Sequence, residues 1–204
     1  MYTTREMKMK TCSRLIMTGH LLGLFLLSAC VQSSPAASQS ARAGANAVPA
    51  PAGGSSGSVD AAAMIEAHNQ WRSKVGVPGL TWSGKLAGIA QQWADHLAAT
   101  TCSGGHSGNE YGENIFMASA RMYSDGRHEI SPKTPKDAVD AWGSEVQWYD
   151  HADNSCHMEC GHYTQLVWKD TKEVGCAMSV CADKTQIWVC NYSPAGNMVG
   201  KKPY

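Results

Sequence analysis

The most informative segment of the chain is Cys160-Gly161-His162-Tyr163-Thr164-Gln165-Leu166-Val167-Trp168. A histidine stands here among small, hydroxylated and amide-bearing residues, and an apolar Leu-Val-Trp run follows at once. A plain core segment contains few such groups, because each polar atom has to be hydrogen-bonded when it is buried. We therefore interpret the stretch as the wall of a site, with His162 as its chemically active member.

Downstream of this stretch, the pattern predicts a β-hairpin. Residues 174–181 and 186–190 contain the β-branched and aromatic side chains of strands, and residues 182–184 form the turn between them. Residues 194–204 carry Pro, Gly and Lys throughout, so we expect an irregular tail. The hairpin supplies the centre of a small sheet.

Upstream, two helices are predicted before a loop and a short strand. Ser58 and Gly76 bound the first helix. The residues that recur on it at helical spacing are Met64, Ile65, His68, Trp71, Arg72 and Val75, and we expect His68 to be structural. Ser83 caps the second, whose apolar face is Leu86, Ile89, Ala90, Trp93 and Leu97. Residues 102–114 are rich in Gly, Ser and Asn and should form a loop, and residues 115–117 a strand.

A third helix begins at Thr134, which is its predicted N-cap, with Pro135 at the first helical position and Asp137 favoured by the helix dipole. The residues that then recur at helical spacing are Ala138, Trp142, Glu145 and Tyr149. This places Glu145 on the apolar stripe. A carboxylate that faces a core is costly unless it is paired or bound to a cation, so Glu145 is a candidate site residue.

Other chemical groups stand in the predicted loop and strand. His106 lies in the glycine-rich loop, and Glu113 lies where the chain enters the strand. With Glu145 and His162 they make two imidazoles and two carboxylates, a set that can bind a divalent metal. The same set can transfer protons.

The first 30 residues are interpreted as a targeting segment. A basic start precedes an apolar stretch, residues 15–27, that is too short to span a bilayer comfortably. The segment ends Leu27-Ser28-Ala29-Cys30, which resembles a bacterial lipobox, and Cys30 would then be diacylated. If the source is Gram-negative, Val31 directly after the cysteine suggests that the lipoprotein is located in the outer membrane. The alternative is an ordinary secretory signal with a chance cysteine.

The rest of the chain divides into a linker and one domain. Residues 31–57 are nearly all Ala, Ser, Gly and Pro, which predicts a flexible linker, and residues 58–204 form a domain of ordinary size. Since 4 of the 17 basic and 1 of the 17 acidic residues precede Cys30, 13 and 16 remain, a net charge near −3. Without a basic patch, the composition argues against nucleic acid as a partner.

The cysteines agree with export. Six lie in the domain: Cys102, Cys156, Cys160, Cys176, Cys181 and Cys190. An even number in an exported domain predicts three disulfides, each worth about 2–4 kcal/mol, with fifteen possible pairings. The alternative is a zinc site within one short segment, since Cys156, His157, Cys160 and His162 are all ligand types.

Together these segments resemble the CAP superfamily, which comprises cysteine-rich secretory proteins, antigen 5 and plant pathogenesis-related 1 proteins. The resemblance covers residues 60–204. Residues 160–168 are similar to the first family signature and residues 190–197 to the second. Shorter matches are residues 68–72 with 75–78, His106-Ser107, and residues 111–115.

The resemblance implies an α+β fold of the CAP (SCP) type, a disulfide-stabilised three-layer α-β-α sandwich with an open cleft. It implies a cavity tetrad of His106, Glu113, Glu145 and His162, in which the two histidines bind zinc and the carboxylates flank it. The same residues can instead form a polar network that only holds the loops together. The implied disulfides are Cys102–Cys181, Cys156–Cys160 and Cys176–Cys190.

Three functions follow as hypotheses. We favour a surface-anchored module, held to the membrane through Cys30, that binds a lipid, a sterol or an extracellular protein in defence or virulence. The alternative is a zinc-dependent hydrolase with Glu113 or Glu145 as general base, although zinc catalytic sites usually have three protein ligands. We therefore expect binding rather than catalysis.

The third hypothesis is a peptide precursor. Plant members of the family release a signalling peptide after a Cys-Asn-Tyr-x motif, and residues 190–193 match that motif here. Residues 194–204 would be the released peptide. The alternative is that this tail packs against the domain like any other segment.

Overall fold

The predicted hairpin lies at the centre of the main sheet. The computed structural model describes residues 56–57 and 59–204, so the targeting segment with Cys30 and most of the predicted linker lie outside the described residues. In chain order, the elements are β1 (Ser56–Gly57), α1 (Ala61–Lys74), β2 (Thr81–Trp82), α2 (Gly84–Ala99), β3 (Gly112–Ala118), β4 (Arg121–Met122), β5 (His128–Glu129), α3 (Pro135–Ser144), a 3-10 helix (Glu145–Trp148), β6 (Tyr149–Asp150), β7 (Ser155–Cys156), α4 (Gly161–Leu166), β8 (Glu173–Val180) and β9 (Gln186–Ser193).

The main sheet has five strands in the order β1-β8-β9-β3, and β2 pairs in parallel with β8. Strands β8 and β9 are antiparallel neighbours, which confirms the predicted hairpin. Strand β3 begins at Gly112 rather than at residue 115, because Gly112 and Glu113 pair with Tyr192 and Asn191 of β9. The loop prediction is therefore wrong at its end, where glycine-rich composition conceals a strand edge.

Alternation along the hairpin divides the core into two halves, since successive side chains of a strand point to opposite faces. One face packs against α1, α3 and α4 through Val174, Cys176, Trp188, Cys190 and Tyr192. The other packs against α2 through Ala177, Cys181, Ile187 and Val189. Helices thus cover both faces of the sheet, and the predicted three-layer α+β sandwich is confirmed.

Local sequence signals set several helix ends. Gly76 follows α1 with φ of +72°, a conformation in which glycine is favoured, as the prediction requires. Ser83 is the N-cap residue of α2, although its side chain makes no capping hydrogen bond. Thr134 and Asp137 form a capping box at the start of α3, with each side chain accepting from the other's backbone N–H.

Two predicted helix ends are wrong. The N-cap of α1 is Asp60 rather than Ser58, because the Asp60 carboxylate accepts a hydrogen bond from the Ala63 N–H at 3.0 Å. Helix α3 ends at Ser144, so Tyr149 lies in β6 and not on a continued helical stripe. The tail from residue 194 has no helix or strand, as predicted.

Three disulfides are present among the described residues, and one of them, Cys176–Cys190, joins β8 to β9 within the sheet. They are Cys102–Cys181, Cys156–Cys160 and Cys176–Cys190, the pairs that the family resemblance implies. Because Cys156 and Cys160 are bonded to each other, their sulfurs are not thiolates, and the zinc alternative at Cys156, His157, Cys160 and His162 is wrong. Disulfides of this kind indicate an oxidising, exported setting.

The chain joins the sheet earlier than the predicted domain start at residue 58. Ser56 and Gly57, assigned to the linker by composition, pair with Ser179 and Met178 of β8. Within the described part of the chain, no helix has the length and apolar character needed to cross a membrane.

A buried histidine network connects α1 to the sheet. His68 Nδ1 donates to the Met64 carbonyl at 2.7 Å, and its Nε2 accepts from the Tyr192 hydroxyl at 2.9 Å. The Asn114 amide donates to that hydroxyl at 3.2 Å. Burial lowers the pKa of His68 from 6.5 to about 4, since desolvation disfavours the charged imidazole. His68 is the structural histidine that the sequence predicts.

This shift predicts acid sensitivity. Between pH 4 and 6.5, His68 is protonated in the unfolded chain and neutral in the folded protein. The contribution of His68 to the free energy of unfolding is therefore complete above pH 6.5 and declines as pH falls. We expect wild type to lose about 2–3 kcal/mol more than His68→Gln between pH 7.5 and 4.5, by denaturant unfolding at both pH values. His128→Gln, at an exposed position in β5, should behave like wild type. Equal losses in wild type and His68→Gln would contradict the assignment.

Candidate functional site

Residues 160–168 contain α4 and the turn after it. Seven of these nine residues are buried, and only Gly161 and His162 are partly exposed. Most of the stretch is buried, and its polar groups find internal partners. Thr164 donates to Asn197 at 2.7 Å, and Gln165 accepts from the Gly196 N–H at 2.8 Å. His162 lines the cavity that also contains His106, and Gly161, Thr164 and Trp168 line a second cavity.

Glu145 holds His162 in place. It follows α3, is 8% exposed, and faces the first turn of α4. Its Oε2 accepts from the backbone N–H groups of His162 at 3.0 Å and Tyr163 at 3.2 Å, and its Oε1 accepts from His162 Nδ1 at 2.6 Å. The first N–H groups of a helix lack partners within the helix, which explains how a carboxylate is tolerated here. The predicted inward orientation of Glu145 is confirmed.

Glu113 holds His106 in a similar way from the edge strand β3. Its Oε1 accepts from His106 Nδ1 and from the Ser107 N–H, both at 2.9 Å. Its Oε2 accepts from the Ser107 hydroxyl at 2.7 Å and from the Asn191 amide at 3.3 Å. The side chain of Glu113 is 5% exposed and that of His106 is 63% exposed, so a buried carboxylate orients an accessible imidazole.

The two pairs share one geometry. A carboxylate accepts hydrogen bonds only, so Nδ1 of each histidine carries a proton, and in the neutral imidazole Nε2 keeps its lone pair. His106 and His162 line one cavity of about 390 Å³, whose other lining residues are Gly104, Gly105, Ile115, Met117 and Glu159. Histidines that bind metals usually donate their second N–H to a carboxylate or carbonyl group, so this arrangement fits a metal site.

The four predicted residues form two pairs and not a single cluster. Among the described residues, three potential ligand atoms lie within 4.8 Å of one another only at His68–Cys176–Cys190 and at Cys102–Cys181–Asp183. Both groups contain a disulfide, so neither offers thiolates. The acids of the tetrad therefore act on the imidazoles, and a metal ion would draw on His106 and His162.

Several supporting residues were missed by the sequence argument. The Asn114 amide donates to the His162 carbonyl at 3.0 Å, and Trp93 Nε1 donates to the Gly105 carbonyl at 2.7 Å beside His106. Ser107 and Asn191 could have been noticed, because both lie within the family motifs. Trp93 gives no such signal, since it belongs to the apolar stripe of α2.

Comparison with known proteins identifies the domain. The model of the cysteine-rich secretory protein family, CAP, matches residues 65–192. The chain belongs to the CAP family. It is similar to "Pathogenesis-related protein PRMS" of Zea mays, with 45% identity over 140 residues, 67% of this chain and 78% of that protein. It is also similar to human "GLIPR1-like protein 1", with 38% identity over 159 residues, 69% of this chain and 60% of that protein.

Solved CAP-fold structures agree with this assignment. The crystal structure of NaASP2 with Zn²⁺ has a TM-score of 0.54 and 26% identity, covering 70% of this chain and 83% of that one. The structure of BmVAL-1 has a TM-score of 0.57 and 24% identity, covering 71% and 81%. The second likeness supports the fold alone.

The cleft of this CAP domain has a defined chemical capacity. In their neutral form, two imidazoles with Nε2 lone pairs are ligands for a borderline or soft metal ion. The carboxylates are already engaged, Glu145 by three donors and Glu113 by four. A proton from a substrate would have to compete with these donors.

Proposed function

We propose that this chain is an exported CAP-domain binding protein whose cleft holds a divalent metal ion, with Zn²⁺ as the first candidate, on Nε2 of His106 and of His162. One observation carries the proposal: both imidazoles line the same cavity while a buried carboxylate holds each Nδ1. The NaASP2 structure with Zn²⁺ supports the choice of zinc as the probe. When bound, the ion would supply a positive charge that recognises an anionic or electron-rich group.

The proposal predicts zinc binding that depends on two residues. We expect one equivalent of Zn²⁺ to bind wild type in isothermal titration, and His106→Ala and His162→Ala each to weaken binding by roughly 100-fold. His128→Ala, which removes an exposed imidazole on β5, is the matched control and should bind as wild type does. Unchanged affinity in both cavity variants would refute the site.

The binding role is preferred to the zinc-dependent hydrolase. Hydrolysis needs a group that accepts a proton, and the donors around Glu113 and Glu145 leave little capacity for one. Two histidine ligands also fall short of the three usual at catalytic zinc. Within the proposal, Glu113 and Glu145 orient the ligands and do not act as bases.

The proposal includes attachment and a partner. Cys30 would carry the lipid that anchors the protein at a membrane, as in a bacterial outer-membrane lipoprotein, and residues 31–55 would tether the domain. Two acyl chains on one cysteine suffice for stable anchoring, whereas one is marginal. The partner class is a lipid, a sterol or an extracellular protein. Titration with a fluorescent sterol tests the sterol version, which requires saturable uptake.

The contacts of residues 194–204 support a tail that stays packed against the domain and is not released as a peptide. The Lys169 N–H donates to the Pro203 carbonyl at 2.8 Å, and the hydroxyl groups of Tyr163 and Tyr204 lie 3.0 Å apart. His151 bonds to the Tyr204 carbonyl at 2.8 Å and stacks on its ring. Mass spectrometry should therefore detect no 194–204 fragment in conditioned medium.

A further inference from the structure

The cavity between the two histidines also contains a thioether. Met117 lies on β3 in the same period-two register as Glu113 and Ile115, so these three side chains share one face of the strand. Its side chain lines the cavity with His106 and His162 and is 37% exposed. The sulfur lies against the loop that carries His106, since a Cβ added at Gly104 would stand 3.4 Å from it.

A gap-filling role does not account for this residue. Methionine fills irregular spaces inside cores, where its flexible chain contacts other side chains on all sides. Met117 instead exposes more than a third of its surface to an open cavity, on a strand whose neighbouring Ile115 packs against the core beneath α2. What an exposed thioether offers at this point is a soft lone pair.

We propose that Met117 is a third metal ligand and that its sulfur raises the affinity of the cleft for Cu(I) without raising its affinity for Zn²⁺. This inference rests on the proposed function, because it places the metal on Nε2 of His106 and of His162. Thioether sulfur is a soft ligand that selects Cu(I), whereas imidazole suits zinc and copper alike. The histidines can hold either metal, and Met117 adds affinity for Cu(I).

The test compares two metals in one set of variants. The full chain carries Cys12→Ser and Cys30→Ser, so that the six remaining cysteines can all be paired, and mass spectrometry verifies the three disulfides. Cu(I), kept reduced by ascorbate without oxygen, is titrated in competition with a chromophoric Cu(I) chelator, and Zn²⁺ in competition with a zinc dye. Met117→Leu preserves size and apolarity. Met198→Leu alters an exposed methionine that lines a different cavity and is the matched control.

We expect Met117→Leu to weaken Cu(I) binding by roughly tenfold or more and to change Zn²⁺ binding less than twofold. Met198→Leu should leave both affinities unchanged. X-ray absorption at the copper edge should show one sulfur neighbour in the parent protein and none in Met117→Leu. Equal Cu(I) affinity in Met117→Leu and its parent, with Zn²⁺ still bound through the histidines, would overturn this inference alone. Failure of the parent protein to bind either metal would overturn the proposed function as well.

Discussion

Replacing Arg72 with methionine is expected to lower the free energy of unfolding by about 4 kcal/mol or more, because four carbonyl groups, three of them on buried residues, lose their donor. The Arg72 side chain is fully buried and has no acidic partner among the described residues. Its guanidinium donates to the Pro78 carbonyl at 2.7 Å, and to those of Leu166, Trp168 and Thr171 at 2.9–3.1 Å. Burial lowers its pKa to about 10, since desolvation disfavours the charged form.

The size of this effect follows from where the carbonyl groups lie. Leu166 ends α4 and Trp168 follows it, so Arg72 fixes the helix that carries His162 onto α1. Stability of domains of this size is about 5–15 kcal/mol, and the variant should unfold at much lower denaturant concentration.

Two further variants make the Arg72 experiment specific. Arg72→Lys keeps the charge but cannot span four acceptors with one ammonium group, so an intermediate loss is expected. Arg127→Met removes an exposed arginine that pairs with Asp125 and Glu129, and it should cost less than about 1 kcal/mol. A loss for Arg72→Met as small as that for Arg127→Met would show that the guanidinium does not join these segments.

Replacing Glu145 with alanine is expected to cost about 2–4 kcal/mol of stability, because two backbone N–H groups and one imidazole N–H lose their acceptor. The same change should weaken Zn²⁺ binding by roughly 10- to 100-fold, since His162 loses the group that sets its orientation. Denaturant unfolding and zinc titration on one preparation measure both effects.

Glu145→Gln separates the capping of α4 from the orientation of His162. The amide oxygen still accepts from the His162 and Tyr163 N–H groups, so most of the stability should remain. An amide lacks the charge that raises the basicity of the imidazole, so zinc binding should still decrease. Glu66→Ala, at an exposed position on α1, is the matched control and should alter neither property. Wild-type stability in Glu145→Ala would contradict the capping role of this carboxylate.

The hairpin and most of the helices were predictable because their signals are local. Period-two alternation defined β8 and β9, and the Thr134 capping box defined the start of α3. The strand edge at Gly112 was not predictable in this way, because it depends on pairing with a segment 80 residues away at Tyr192. Composition alone favours a loop there, and tertiary pairing overrides it.

The candidate site was predictable only in part. The burial of Glu145 was predictable from its place on an apolar stripe. Its hydrogen-bond partners were not, because they lie at the start of α4 and no local sequence pattern indicates them. The role of Arg72 was also hidden, because the carbonyl groups that it satisfies are backbone groups with no sequence signature. The cavity position of Met117 became visible only once β3 and the His106 loop were adjacent.

The metal site is tested most directly by an anomalous difference map, measured at the zinc edge, from crystals of the protein grown with Zn²⁺. We expect one strong peak in the cavity, within bonding distance of Nε2 of both His106 and His162, with each Nδ1 still hydrogen-bonded to its carboxylate. A cavity without a peak, or a metal ion bound only to histidines elsewhere on the surface, would contradict the proposed site.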